Sequence, residues 1–160
     1  MSKHRYKLSD QERFCGLGFL YPKHEQNVAI AFRSAVAMGL ADFLFTVGPC
    51  QYVRPQADTI DSYKLKPCWQ FDDVMEMVKK RPLCTELVAV ELTDDAVPIE
   101  EFEHPKRALY LLGNERDGFG DNIRHFKKRV KLPSIGVSMN VAIASSVILY
   151  DRYMKERKDV

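Results

Sequence analysis

The stretch FCGLGFLYPKHEQNVAIAFRSAVAMGLADFLFTV, residues 14–47, holds a complete strand–helix–strand unit, and its reading decides the fold class. Residues 14–20 are apolar at odd and even positions alike, the pattern of a strand buried on both faces of a parallel sheet. Pro22 ends that run. From 27 to 38 the apolar positions Val28, Ala31, Phe32, Ala35 and Met38 recur at helical spacing, and Gly39 stands where a left-handed residue closes a helix. Residues 43–47 are again an apolar run, broken only by Thr46, and Gly48 and Pro49 follow. Two such strands joined through a helix imply a right-handed crossover between parallel neighbours.

The alternation continues outward. Residues 51–70 show no period and are expected to form a long ordered loop, a kind of segment that more often carries function than disorder. A helix is expected over about 71–80, strands over 87–92 and 108–112, a short helix around 121–126 and a last strand over 129–132. A long helix should follow over 139–154. Its apolar positions Val141, Ile143, Ala144, Val147, Ile148 and Tyr150 go most of the way round, so it is expected to be largely buried. The fold class is α/β, with a mostly parallel sheet and helices on both faces.

A chain of 160 residues, 46% of them hydrophobic, suits one core. We therefore read a polar tail over 1–13 and a single domain over 14–157. With 24 Lys and Arg against 22 Asp and Glu, the net charge of +2 selects no class of partner. Cysteines at 15, 50, 68 and 84 form no CxxC pair, and no His stands at zinc-finger spacing. Free thiols in a reducing compartment and no metal site are expected. Residues 1–13 are too polar for a signal peptide, and no apolar run approaches the roughly 18 residues that span a bilayer, so a cytoplasmic location and no membrane partner are expected.

In an open α/β sheet, ligands bind beyond the carboxyl ends of the strands, where loops and helix starts offer free backbone N–H groups. Three loops stand out. After 108–112 come Gly113, Asn114, Glu115, Arg116, Asp117 and Gly118, whose glycines allow close backbone approach; a tight strand-to-helix turn accounts for them equally well. After 129–132 come Pro133, Ser134, Ser138, Met139 and Asn140, which put hydroxyls and an amide at the start of an apolar helix. Ser138 and Asn140 could each cap that helix, but an amide inside its first turn also needs a partner. After 14–20 come Lys23, His24, Glu25, Gln26 and Asn27, with Arg33 further along among Phe32, Ala35 and Ala37. A guanidinium in that company is either on a solvated face or paired with a polar ligand.

Taken in order, the loops resemble the three signature motifs of the SPOUT methyltransferases, in the TrmH-like (SpoU) branch. Asn27, Ala29 and Arg33 resemble the first, Gly113, Glu115 and Gly118 the second, and Pro133 with Ser138, Met139 and Asn140 the third. The resemblance covers 14–153. It departs at Ala29, where the family usually has Gly, and in a 133–138 loop shorter than in many members.

The resemblance implies a C-terminal deep trefoil knot that holds S-adenosylmethionine, a homodimer whose site is completed across the interface, and methylation of a ribose 2'-hydroxyl of RNA, tRNA in preference to rRNA. It implies a catalytic set of Arg33, Asn27, Glu115, Ser138 and Asn140, with Glu115 as the charge partner of Arg33, and a cofactor site at Leu92, Gly113, Leu132, Ser138 and Met139. RNA contact would fall to Lys23, Arg54, Arg124, Lys127 and Lys128, with His125, Arg129 and Lys131 nearby. An inactive RNA-binding module of the same fold and an enzyme that methylates a base nitrogen are the alternatives.

Overall fold

The computed structural model describes residues 13–49 and 57–158. Arg54 and Cys50, singled out above, lie outside them. Among the described residues, seven strands make one sheet: β1 (Phe14–Leu20), β2 (Phe43–Val47), β3 (Cys68–Phe71), β4 (Glu86–Val90), β5 (Val97–Pro98), β6 (Arg107–Leu112) and β7 (Lys128–Lys131). Their order is β3-β2-β1-β6-β4-β7-β5, and every pairing is parallel. All seven carboxyl ends therefore point the same way.

Two apolar layers cover the sheet. On one face, α1 (Glu25–Met38) and α4 (Val141–Lys158) pack Val28, Phe32, Ile148 and Leu149 onto Leu17, Phe19, Tyr110 and Leu112. On the other, α3 (Val74–Lys80) and the 3-10 turn at Gly120–His125 pack Val74, Met77 and the neighbouring Phe119 and Phe126 against Phe45, Leu109 and Leu111. Odd and even strand positions go to opposite layers, which explains the unbroken apolar runs of the sequence. The two glycines of β1 make room for neighbours. A Cβ on Gly16 would stand 2.3 Å from Leu109, and one on Gly18 would stand 2.2 Å from the Phe45 ring.

Three expectations need correction. The unpatterned 51–70 stretch is not all loop: it holds a helical turn, α2 (Ser62–Leu65), and from Cys68 the edge strand β3, whose four residues are too few to show a period. The Ser62 N–H and hydroxyl both bond the buried Asp58 carboxylate and fix that turn. The two-residue strand β5 was not anticipated. Third, α4 is not buried around its circumference: Val141, Ala144, Ile148 and Leu149 face the sheet, while Ile143, Val147, Tyr150 and Met154 line an exposed stripe.

The far half of α4 is tied down by charge. Arg152, 4% exposed, donates to the Pro105 carbonyl at 2.6 Å, the Lys106 carbonyl at 2.8 Å and the Tyr110 hydroxyl at 3.0 Å, and pairs with Glu156 at 2.8 Å. His104 lies between the Tyr110 hydroxyl (2.6 Å) and Asp151 (2.8 Å). A neutral imidazole completes this chain: Arg152 donates to Tyr110, Tyr110 to Nδ1 of His104, and Nε2–H of His104 to Asp151. Burial, the largest influence, holds the His104 pKa below its usual value although Asp151 pulls the other way. Asp151 is shared with Lys155 at 2.9 Å, so its charge is already answered. Burial likewise lifts the Cys15 thiol to about 12, so this inner cysteine is inert. Cys68 is half-buried and Cys84 exposed, and both are free thiols. Among the described residues, no helix is long and apolar enough to cross a membrane.

A base whose pKa is depressed by folding takes up its proton more readily in the unfolded chain, so acidification favours unfolding. The contribution of His104 is fully present above about pH 6.5, the unfolded value, and is lost as pH falls through the lower folded value. The urea midpoint of wild type should therefore fall more between pH 7.5 and 5.5 than that of His104→Asn. Equal slopes would show that His104 does not titrate this way.

Candidate functional site

Neighbouring strands β1 and β6 send their chains in different directions. Beyond β1 the chain enters α1 and turns toward β2, and beyond β6 it passes to the other side of β4 to form β7. The divergence opens a crevice at the carboxyl ends. Loops after β4, β6 and β7 line it, and the β1 loop joins its rim through the bonds of Lys23 and Asn27 to Glu115. Leu92, Gly113, Leu132, Ser138 and Met139 all line one cleft there, together with Glu91, Leu112, Glu115, Pro133, Ser134 and Val141.

The three loops with signature residues meet side chain to side chain. The Asn27 amide donates to Glu115 Oε1 at 3.1 Å, and the Asn140 amide donates to Asn27 Oδ1 at 3.2 Å. Backbone N–H of Lys23 reaches Glu115 Oε2 at 3.4 Å. Asn140 also caps α4, its Oδ1 accepting from Ala142 N–H at 2.9 Å and Ile143 N–H at 3.4 Å. One amide thus both starts the helix and joins it to α1. Ser138 is exposed and has no part in the cap; the turn before it is made by Ser134, which accepts from the N–H groups of Gly136 and Val137 at 3.0 Å each. That turn leaves Ile135 99% exposed beside the cleft, with Val137 also exposed.

Arg33 stands apart. It is exposed on α1, and Glu115 bonds Asn27 and Lys23 in its place, so the expected Arg33–Glu115 pair does not form within one chain. The expected basic set also divides. Lys23 is at the cleft mouth, 3.9 Å from Asp117. Lys128 is at the amino end of β7, 3.5 Å from Glu86 and about 13 Å along the strand from Leu132. Lys127 precedes it, and Arg124 lies in the 3-10 turn, both exposed. Arg129 pairs with Asp95 and donates to the Phe126 and Ile123 carbonyls, which makes it a structural residue.

Two residues were missed from sequence. Asn114 builds the glycine loop: its Oδ1 accepts from Arg116 and Asp117 N–H at 2.9 and 3.2 Å, and its amide donates to the Tyr21 carbonyl at 2.6 Å. Tyr21 holds a left-handed backbone, φ 44°, at the exit of β1, so Asn114 fixes the β1 loop as well as its own. An Asn followed two to three residues on by a turn was a readable signal. Glu91 immediately follows β4 and faces the cleft. An acidic residue after a buried parallel strand was its signal. Among the described residues, no cluster of three His, Cys, Asp or Glu side chains could hold a metal ion.

Comparison with known proteins agrees with this geometry. The family model described as the SpoU rRNA Methylase family matches residues 17–150. The tRNA (guanosine(18)-2'-O)-methyltransferase of Escherichia coli K12 is 26% identical over 132 residues, 78% of this chain and 56% of that protein. The chain thus spans about half the length of the curated relatives it matches. The SpoU methyltransferase AviRb from Streptomyces viridochromogenes, crystallised in complex with the cofactor AdoMet, is 26% identical with a TM-score of 0.78 over 91% of this chain and 61% of that one. The A. aeolicus TrmH/SpoU tRNA modifying enzyme, at 20% identity, shares the fold with a TM-score of 0.79 over 93% of this chain and 81% of its own. With a parallel sheet of this order, three signature loops meeting at one crevice and a family match over most of its length, the chain belongs to the SpoU rRNA methylase family.

Proposed function

We propose that the protein is an S-adenosylmethionine-dependent RNA methyltransferase acting on a ribose 2'-hydroxyl, of tRNA in preference to rRNA. The observation that carries this is the junction of Asn27, Glu115 and Asn140 at the rim of an apolar cleft formed by strand ends. Relatives named for ribose 2'-O-methylation of tRNA and a neighbour crystallised with AdoMet support it.

The cleft suits the cofactor. Leu92, Leu132, Met139 and Val141 offer apolar contact for an adenine ring, and the ends of β4, β6 and β7 offer backbone N–H and C=O groups for its polar edge. When bound, S-adenosylmethionine supplies a methyl group that is already strongly electrophilic. The chain's remaining task is to place an RNA oxygen in line and to answer its negative charge. A guanidinium keeps its proton, so Arg33 acts by donating hydrogen bonds to the developing alkoxide or the adjacent phosphate. Lys23 and the exposed Arg116 flank the same rim and can hold the RNA backbone.

The knot and the dimer belong to the same reading. After β6 the chain passes beyond β4 to form β7 and then comes back to lay α4 on α1, a path that supports a threaded C-terminal segment. Ile143, 56% exposed, and Tyr150, 54% exposed, share the α4 stripe with Val147 and Met154, and Ile30 is exposed on α1. A second copy covering that stripe would give its apolar surface the burial a monomer denies it. It would also supply the setting Arg33 lacks within one chain. A cytoplasmic location fits an RNA substrate.

Activity, cofactor affinity, product digestion and molecular mass test these statements. Arg33→Ala should lower methyl incorporation into tRNA about 100-fold while leaving the affinity for S-adenosylmethionine unchanged, and alkaline digestion of the product should leave an uncleaved dinucleotide. Undiminished transfer would remove Arg33 from the site, and a fully cleaved product would move the methyl group to a base. In light scattering, wild type should have the mass of two chains and a Val147→Glu, Tyr150→Glu variant that of one. A monomeric wild type would overturn the dimer.

A further inference from the structure

The glycines of the second signature loop make room for a side chain of the chain itself. A Cβ on Gly113 would come within 2.5 Å of Oε2 of Glu91, and one on Gly118 within 2.6 Å of the same oxygen. Both bare positions are thus occupied by one carboxylate. Its other oxygen, Oε1, accepts from the Leu92 N–H at 2.9 Å, which fixes the side chain against the end of β4. Glu91 lines the cleft and is half-buried, and no cation pairs with it among the described residues. Leu112, Leu132, Met139 and Val141 make much of the wall; the other acid there, Glu115, is already engaged by the Asn27 amide and the Lys23 N–H, which leaves Glu91 as the acid free to meet a ligand. A half-buried carboxylate held there by one backbone N–H and no cation can take further donors from a ligand.

Resting on the cofactor reading above, we propose that Glu91 is a cofactor-specificity residue whose carboxylate accepts hydrogen bonds from the ribose hydroxyls of the adenosyl group. Two donors on S-adenosylmethionine could meet it: the ribose diol, or the cationic sulfonium and ammonium end. The chemistry favours the diol. Methyl transfer discharges the sulfonium, so a fixed anion beside the sulfur would stabilise the starting state more than the transition state and slow the reaction. An acid at the end of a parallel strand is also well placed for a ribose, since a carboxylate can accept from two vicinal hydroxyls at once. The residue binds and selects, and takes no proton in the transfer.

The test is calorimetric titration of the full chain with S-adenosylmethionine, methylthioadenosine and 2'-deoxy-methylthioadenosine. Methylthioadenosine keeps the diol but has neither the sulfonium charge nor the amino acid. Wild type should bind it about 10- to 100-fold more tightly than its 2'-deoxy form, the usual loss for a hydrogen bond to a charged group. In Glu91→Ala that preference should vanish. Glu91→Gln keeps an oxygen to accept from Leu92 N–H and controls for a disturbed fold; it should retain part of the preference. If Glu91→Ala weakens both methylthioadenosines equally, or S-adenosylmethionine alone, the diol contact is wrong. A wild type that binds none of the three would overturn the cofactor reading itself, a result distinct from a lost preference.

Discussion

The guanidinium of Arg152 is buried, and a charge so placed is tolerated only if its donors are met. They are met by the backbone of Pro105 and Lys106, just before β6, and by Tyr110 within it. These contacts fix where α4 lies along the sheet. Asn140, twelve residues earlier and about 18 Å back along the helix, is thereby delivered to Asn27. Without the distant anchor, α4 could slide or tilt and the Asn27–Asn140 contact would be one fluctuating hydrogen bond between two loops. The charged chain at one end of the sheet is thus the mechanical condition for the polar junction at the other.

That junction spans separations of 88 and 113 residues with single hydrogen bonds, so its geometry depends on the rigidity beneath it. Glu115 is committed to Asn27 and to the backbone of Lys23. The family-like pattern of Asn, Glu and Asn therefore serves to lock three loops together, and Arg33, the residue proposed above to answer charge on the substrate, stands outside the lock, on the exposed side of α1.

Much of this was legible in the sequence because it is local. The runs at 14–20 and 43–47, the helical spacing after Asn27 and the glycine loop at Gly113 each depend on neighbours a few positions away, and the structure shows them close to where they were read. The misreading of α4 has a physical origin in partners far along the chain. An exposed stripe and a buried face of α4 are equally apolar, so Ile143 and Ile148 look alike until the sheet is in place. The edge strand β3 was hidden by its shortness, and the one signal of Glu91 was its place directly after β4.

The fit of β1 against its neighbours also bears on how such a chain can change over time. Gly18 has no side chain because the Phe45 ring of the adjacent strand occupies its space, and Gly16 yields in the same way to Leu109. Each pair divides a fixed volume between two strands. A larger residue at 18 is compatible only with a smaller one at 45, so neither position can drift alone, and the two should be inherited as a unit in descendants that keep this sheet. Glycines that look like hinges in the sequence are, in this strand, the vacated half of a packing contract.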